Sequence, residues 1–375
     1  MTTSTRALSF LTDSAQLSEF VGDEAVATRV RIKPGVSISA AFAAADGTAA
    51  GWARLLWPEA IAKGHKSAAK AQRMGLATAS RTLDDGLLLQ WGSIASDPDL
   101  MAHIGRAHAS GVVDPARWQV LRHNPLRRLV ARSGGAVVRI HAAADTRAHE
   151  LHALLSSLVP VPERLDDGAD PHVSVLADAG GFDLSSPEAA ADQARAWHEE
   201  AGALFARLHC AKPPRDLASA LSASAPSTRR TLALHARIIG HLDGDLGKRI
   251  EALADCAPEP VDAPLVPIHA DASPDQVLVG SNGSVLLTDF DRARMGSAAL
   301  DVASYMASAQ VEQAAHFLHG YEQAGGTLPD ERELLAARIH ALALRLADPL
   351  REARPDWAQR ITHTLTLIEE DSSCL

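Results

Sequence analysis

The sequence predicts an α+β fold, with strands gathered early and helices late, arranged in lobes. Two observations carry this reading. Two stretches within the first 150 residues read as strand, glycine-containing turn, strand. A long apolar stripe at helical spacing begins near Ser186, and helical patterns continue from there. The charge divides along the same line: residues 1–150 carry 18 Lys/Arg against 13 Asp/Glu, and residues 151–375 carry 18 against 33. A basic front and an acidic back can match an anionic ligand on one side and a cationic or polyhydroxyl one on the other. The net charge of −10 speaks against nucleic-acid binding.

A chain of 375 residues holds two or three structural units and buries a full core. Its hydrophobic share of 46% and charged share of 22% are globular values. Cys210, Cys256 and Cys374 lie far apart, which argues against a disulfide framework and a zinc knuckle and suits a reducing cytoplasm. No signal peptide is visible and no apolar run approaches a membrane span, so a cytoplasmic protein without membrane partners is expected.

In chain order, Arg31-Ile32-Lys33-Pro34 running to Ala40 is echoed 91 residues later by Arg122-His123-Asn124-Pro125 running to Ala131. Each is followed by a turn signal, Asp46-Gly47 or Gly134-Gly135, and by a second short run, Gly51–Leu56 or Ala136–Ile140. Both read as hairpins. Helix-like segments follow each, over Ala60–Met74 and Thr146–Leu158, the second closed by Pro160 and Pro162. His172–Leu176 reads as a strand. Ser186-Pro187-Glu188 is a helix start, with Ala190, Ala194, Trp197, Ala201, Leu204 and Leu208 as one stripe and Pro213-Pro214 as the stop. A further helix covers Thr228–Leu242 and ends at Asp243-Gly244. Two or three more lie between Leu300 and Glu370, broken at Gly325-Gly326, Pro349 and Pro355. Trp52 and Trp57 read as packing residues, Trp357 as the anchor of the last helix, and His340 as a surface or core residue.

One segment carries chemistry: Val266-Pro267-Ile268-His269-Ala270-Asp271-Ala272-Ser273-Pro274-Asp275-Gln276, then two short apolar strands joined by Asn282-Gly283, then Asp289-Phe290-Asp291. The hairpin brings Asp271, Gln276 and Asp289 together. A carboxylate able to take a hydroxyl proton, beside oxygen donors for a hard cation, is what phosphoryl transfer to an alcohol requires. Positioning and charge neutralisation supply most of such catalysis.

These residues resemble the aminoglycoside phosphotransferase and choline kinase family, relatives of the protein kinases. The family's catalytic loop reads His-Gly-Asp-x-x-x-x-Asn, followed by a hairpin and an Asp-Phe-Asp or Asp-Phe-Gly triplet. The resemblance implies a two-lobed protein-kinase-like fold, with a small β-rich N-lobe over residues 117–178 and a helical C-lobe over residues 179–375. Residues 1–116 form an extra N-terminal α/β cap subdomain, similar to those of maltokinase-like and glucosamine-kinase-like branches. By the same resemblance Asp271 is the catalytic base, His269 buttresses its loop, Gln276 and Asp289 hold Mg²⁺, and Asp301 is a buried acid at a helix start. Gln276 stands where the family has Asn, and Ala270 where it has Gly. The latter exchange costs little unless the loop needs a positive φ.

In the N-lobe, Arg139 stands in the position of the strand lysine that meets the ATP phosphates, with Glu150 as its partner. Lys33 and Arg54 are the alternatives. Ser133-Gly134-Gly135 offers a short phosphate-covering turn, Val173–Leu176, with Val175, a hinge strand against the adenine, and Asp183 the start of the C-lobe. The implied activity is ATP-dependent transfer of the γ-phosphate to a hydroxyl of a small molecule: a sugar, amino sugar or aminoglycoside. The acceptor is expected against the acidic helical lobe, where Asp291, Glu312 and Glu322 could contribute. The alternative is a pseudokinase that binds nucleotide or a partner without turnover. A monomer or dimer suits either.

Overall fold

A computed structural model describes residues 3–187, 193–212, 215–221, 226–260 and 263–375. Two short helices, α1 (Thr3–Thr12) and α2 (Ser14–Val21), lead into the first sheet, the second capped by Asp13 through the Gln16 N–H at 2.9 Å. Strands β1 (Ala25–Lys33), β2 (Ser37–Ala44) and β3 (Ala49–Leu56) form an antiparallel meander. Helix α3 (Ile61–Arg73) follows, and β4 (Thr78–Thr82) and β5 (Leu88–Ser93) complete a sheet ordered β1-β2-β3-β5-β4.

After α4 (Met101–Ala109) the plan repeats. Strands β6 (Gln119–Asn124), β7 (Arg128–Ser133) and β8 (Ala136–His141) form a second meander, α5 (Ala148–Ser156) follows, and β9 (Val173–Ala177) returns beside β8. Arg164 bridges to Leu176 on the outer edge. The sequence echo is thus a structural one. Pro34 and Pro125 sit in matching first turns, and Ala40 and Ala131 on matching second strands.

Packing ties the N-terminal residues to both neighbours. Ile104 and Ala107 of α4 pack with Leu129, Val138 and Ile140 on one face of the second sheet. A larger core runs unbroken from Leu11, Ile38, Leu55 and Leu89 into Leu232, Ile250, Ile339 and Leu365 of the C-terminal helices. The first sheet is therefore braced against the helical half as well as against the second sheet. Each such fully buried Leu or Ile contributes about 1.5–3 kcal/mol. Trp52 is buried, its indole N–H donating to Ser96 Oγ at 3.2 Å, and Trp57 and Trp357 pack on the large core.

In the second half β10 (Phe182–Asp183), which contains Asp183, pairs with β12 (Val277–Val279), and β12 with β13 (Val285–Leu287). Between β10 and β12 run α6 (Ala194–Cys210), α7 (Arg215–Ala220), α8 (Thr228–Gly240) and α9 (Gly244–Cys256). Strand β11 (Val266–Ile268) pairs with β14 (Arg294–Gly296). The chain ends in α10 (Ala298–Ser308), α11 (Val311–Gln323), α12 (Glu331–Arg345), α13 (Asp348–Arg351) and α14 (Trp357–Ser373). Helices α6 and α11 touch backbone to backbone: a Cβ on Gly320 would stand 1.9 Å from Glu199 O. No helix among the described residues is long and apolar enough to cross a membrane.

Several expected boundaries move. The described helix begins at Ala194; Glu188 and Ala190 of the expected start, and the Pro213-Pro214 stop, lie outside the described residues. Asp243-Gly244 does not merely end a helix. Asp243 accepts from the Leu246 N–H at 3.0 Å and so caps α9, a helix the sequence pattern does not announce. Five helices, not two or three, follow β14.

Candidate active site

Strand β11 delivers the chain to His269, and the loop that follows is pinned from below. Asp301, in the first turn of α10 and fully buried, accepts the N–H groups of His269 and Ala270 at 2.7 Å each and His209 Nε2 at 3.1 Å. Burial works against its charge, but the His209 hydrogen bond and charge, the His269 charge and the His269 N–H outweigh it. The carboxyl is held below its ordinary range. Ala270 has φ of 64°, so the loop does require the left-handed region that Gly would adopt without strain. The His269 ring is fully buried, Nε2 against Thr288 O at 2.7 Å and its face near Phe290. It supports the loop and does not reach solvent.

The β12–β13 hairpin turns at Asn282-Gly283, with Gly283 at φ 81°, and its register sets Val277 opposite Leu287. The Thr288 N–H donates to Gln276 O at 3.0 Å. Asp271, Gln276, Asp289 and Asp291 consequently line one cavity of about 630 Å³. Gln276 is buried, and its amide Nε2 donates to Asp275 Oδ2 at 3.1 Å. Arg292 Nη1 donates to Asp271 Oδ1 at 3.0 Å; among the described residues none reaches Oδ2.

Asp289 sits at φ 63° between two guanidinium groups. Arg139 donates to its Oδ1 at 3.1 Å and to Thr288 Oγ1 at 3.1 Å, and Arg128 donates to Oδ1 at 3.2 Å and to Asp291 Oδ2 at 2.8 Å. Burial alone would raise the Asp289 pKa, but the charges of Arg139, Arg128 and His269 hold it well below the carboxylate range. The carboxylate oxygens of Asp289 and the amide oxygen of Gln276 are hard donors of the kind Mg²⁺ takes alongside phosphate oxygens and water. Among the described residues no group of three or more His, Cys, Asp or Glu could hold a metal by itself.

Other expected residues fall elsewhere. Glu150, exposed on the first turn of α5, makes no described ion pair with Arg139, because Arg139 turns to Asp289 instead. Val175 pairs with Val138 and packs toward α4, on the face away from the cavity; strand alternation gives Ser174 and Leu176, beside Arg139, to the cleft. Glu312 and Glu322 are exposed on α11, which packs on α6, and neither lines the cavity; Glu312 lies 3.8 Å from His316. Ser133-Gly134-Gly135 joins β7 to β8 at the opposite end of β7 from Arg128, against Asp178. Arg54 is buried in the first sheet, and Lys33 is exposed at its edge.

The turn nearest the site is Asn124–Arg127, between β6 and β7. Leu126 there has φ of 60°, its N–H donates to buried Asp97 at 2.9 Å, and Arg31 donates to its carbonyl at 2.5 Å. Sequence reasoning missed Arg128, Arg292 and the cavity arginines contributed by β1. A signal existed: five arginines fall between positions 122 and 139. The described residues lining the cavity include eight arginines against six carboxylates, so the acidic surplus of the second half does not face it.

The profile of the phosphotransferase enzyme family matches residues 120–337, more than half of the chain. Among solved structures, an aminoglycoside 2'-phosphotransferase of type IIIa in its GDP complex is 17% identical, covering 73% of this chain and 97% of that one, with a TM-score of 0.49. A choline/ethanolamine kinase family protein from Mesorhizobium loti is 17% identical over 71% and 94%, TM-score 0.44. A macrolide 2'-phosphotransferase from Brachybacterium faecium is 19% identical over 72% and 98%, TM-score 0.44. No curated protein matches the chain.

Proposed function

The chain belongs to the phosphotransferase enzyme family, and from that premise we propose that it moves the γ-phosphate of ATP to a hydroxyl of a small polyhydroxylated molecule such as a sugar. One observation supports this most: Asp271 and Asp289 line a single cavity, and the second is flanked by Arg128 and Arg139. In this reading Asp271 Oδ2 takes the acceptor's hydroxyl proton while the acceptor's hydroxyl oxygen bonds to the γ-phosphorus and ADP leaves. Arg139 and Arg128 stand against the charge of the phosphates. Asp289 and Gln276 would hold Mg²⁺, which supplies further positive charge there. Arg292 fixes Asp271 through the other carboxylate oxygen. A cationic amino sugar or aminoglycoside, suggested by overall charge, suits eight arginines less well than a neutral polyol does.

The two guanidinium groups on Asp289 also favour a second reading, in which nucleotide binds and nothing is transferred. ADP formation from ATP, with and without a panel of sugars, separates the two. Acceptor-stimulated turnover that is lost in Asp289→Asn is expected. Nucleotide binding with no turnover under any acceptor would leave the pseudokinase reading standing.

A further inference from the structure

The walls of the cavity come from three parts of the chain. Strand β1 sends Arg29 and Arg31 from the face opposite buried Val30, β6 and the turn after it send Arg122 and Arg127, and α13 with its C-cap closes the far side through Asp348 and Glu352. Its carboxylates are all engaged. Asp271 meets Arg292, Asp275 meets Ser273 and Gln276, Asp289 and Asp291 meet Arg128, Asp348 meets Arg351, and Glu352 meets Arg29 at 3.6 Å. Arg31, Arg122 and Arg127 have no carboxylate within ion-pair reach among the described residues, and the buried Nε of Arg122 has no partner. Burial, then the charges of Arg128, Arg292, Arg31 and Arg351, hold Arg127 below the ordinary arginine range. Like charges gathered without counter-ions in a half-closed cavity are relieved by an anion.

The strand order says on which side of Arg139 that anion lies. The sheet runs β9, β8, β7, β6, with Arg139 on β8 and Arg128 on β7 facing Asp289; Arg122 lies on β6, and β1 packs beyond it. Strands stand about 4.8 Å apart. The unpaired set thus begins roughly 10 Å outside Arg139 and extends away from the inter-lobe connection that follows β9. On the proposed phosphotransferase reading this places the set past the phosphates, on the acceptor's side of Asp271. We propose that the acceptor carries, besides its hydroxyl, an anionic group, a carboxylate or a phosphate, seated on Arg122 and Arg127 with Arg31 from the N-terminal region. This rests on the phosphotransferase reading and narrows it to acidic sugars or similar hydroxy acids and hydroxy phosphates.

Glucose, glucosamine, glucuronate and a hexose monophosphate, offered to the full-length protein with ATP, test this by product mass and ADP formation. The last two arms separate carboxylate from phosphate. At least about a tenfold higher kcat/KM for one acidic acceptor over glucose is expected. Arg122→Gln, and independently Arg127→Gln at an exposed position, should erase that preference through acceptor KM, with KM for ATP changed less than about twofold. Equal or better use of glucose or glucosamine overturns the proposal. So does an Arg122→Gln or Arg127→Gln effect confined to ATP, which would give these arginines to the triphosphate. If no acceptor is phosphorylated, calorimetric binding decides: glucuronate or hexose monophosphate bound and weakened in both variants keeps the anion site while the phosphotransferase reading fails, and absence of binding removes both.

Discussion

Arg54 and Arg139 occupy matching places in the two sheets. Arg54 stands opposite Ser39 on β2 and Arg139 opposite Val130 on β7, and Val130 follows Ser39 by 91 residues. Arg54 is 6% exposed and spends its donors inside its own region, on Gln90 Oε1 at 3.1 and 2.8 Å and on Ser67 at 2.6 Å. Arg139 instead reaches across to Asp289 and Thr288. The next strand explains the difference, because Gln90 faces Arg54 where Ser174 faces Arg139. A long acceptor retains the first guanidinium; a short one leaves the second free to serve another lobe. The turns match as well, Gly35 at φ 67° and Leu126 at φ 60°. The two sheets share a backbone plan, and side-chain length separates the arginine held within its own sheet from the one that reaches Asp289.

Substitutions at the two arginines should have opposite signatures. Arg139→Ala is expected to lower kcat/KM about 100-fold, as loss of one preorganised charge contact does, while shifting the melting temperature little. Arg54→Ala should leave kinetics near normal but cost about 2–4 kcal/mol in urea unfolding, since Gln90 is left buried and unpaired. Similar kinetic losses in both variants would dissolve the contrast.

The helical half adds a pH dependence that neither sheet arginine has. Burial, helped by the charges of His316, Arg351 and Arg294 respectively, pushes His198, His235 and His340 down to about 4. The fold keeps these rings neutral, so the unfolded chain takes up protons first. Stability should therefore fall as pH drops from about 6.5 toward 4, by about 2 kcal/mol per histidine near pH 5. Denaturant midpoints measured across that window check this; a flat profile down to pH 4.5 would contradict it.

Smaller effects concern the left-handed residues. Gly35→Ala should cost about 1 kcal/mol, the penalty of a Cβ at positive φ, with no clash to add to it. Ala270→Gly should gain less than about 1 kcal/mol, because relieved strain is partly offset by the greater freedom of glycine in the unfolded chain. Both are read by urea titration, and a large loss in Ala270→Gly would show that the Ala270 side chain itself is needed.

Sequence reasoning recovered what local spacing encodes. His269, Asp271, Gln276 and Asp289 lie within 21 residues joined by one Asn-Gly hairpin, so their proximity follows from strand register. The repeat was legible for the same reason. Val175 was misplaced by a parity of one, which turns a strand residue to the other face. The pairing of Arg139 with Asp289 rather than Glu150 depends on packing between residues 150 positions apart. Arg29 and Arg31 reach the cavity only because the first sheet shares a core with α8, α9, α12 and α14, and no short-range pattern announces that.

On the proposed reading Asp271 and Asp289, which line one cavity, act on one bound ATP with distinct duties. Single-turnover transfer from radiolabelled ATP, measured beside equilibrium ATP binding in Asp271→Asn, tests it most directly. Binding within about threefold of the unaltered protein and transfer reduced at least about 1000-fold are the expected results. Transfer at an undiminished rate would contradict the assignment of Asp271 as the proton acceptor.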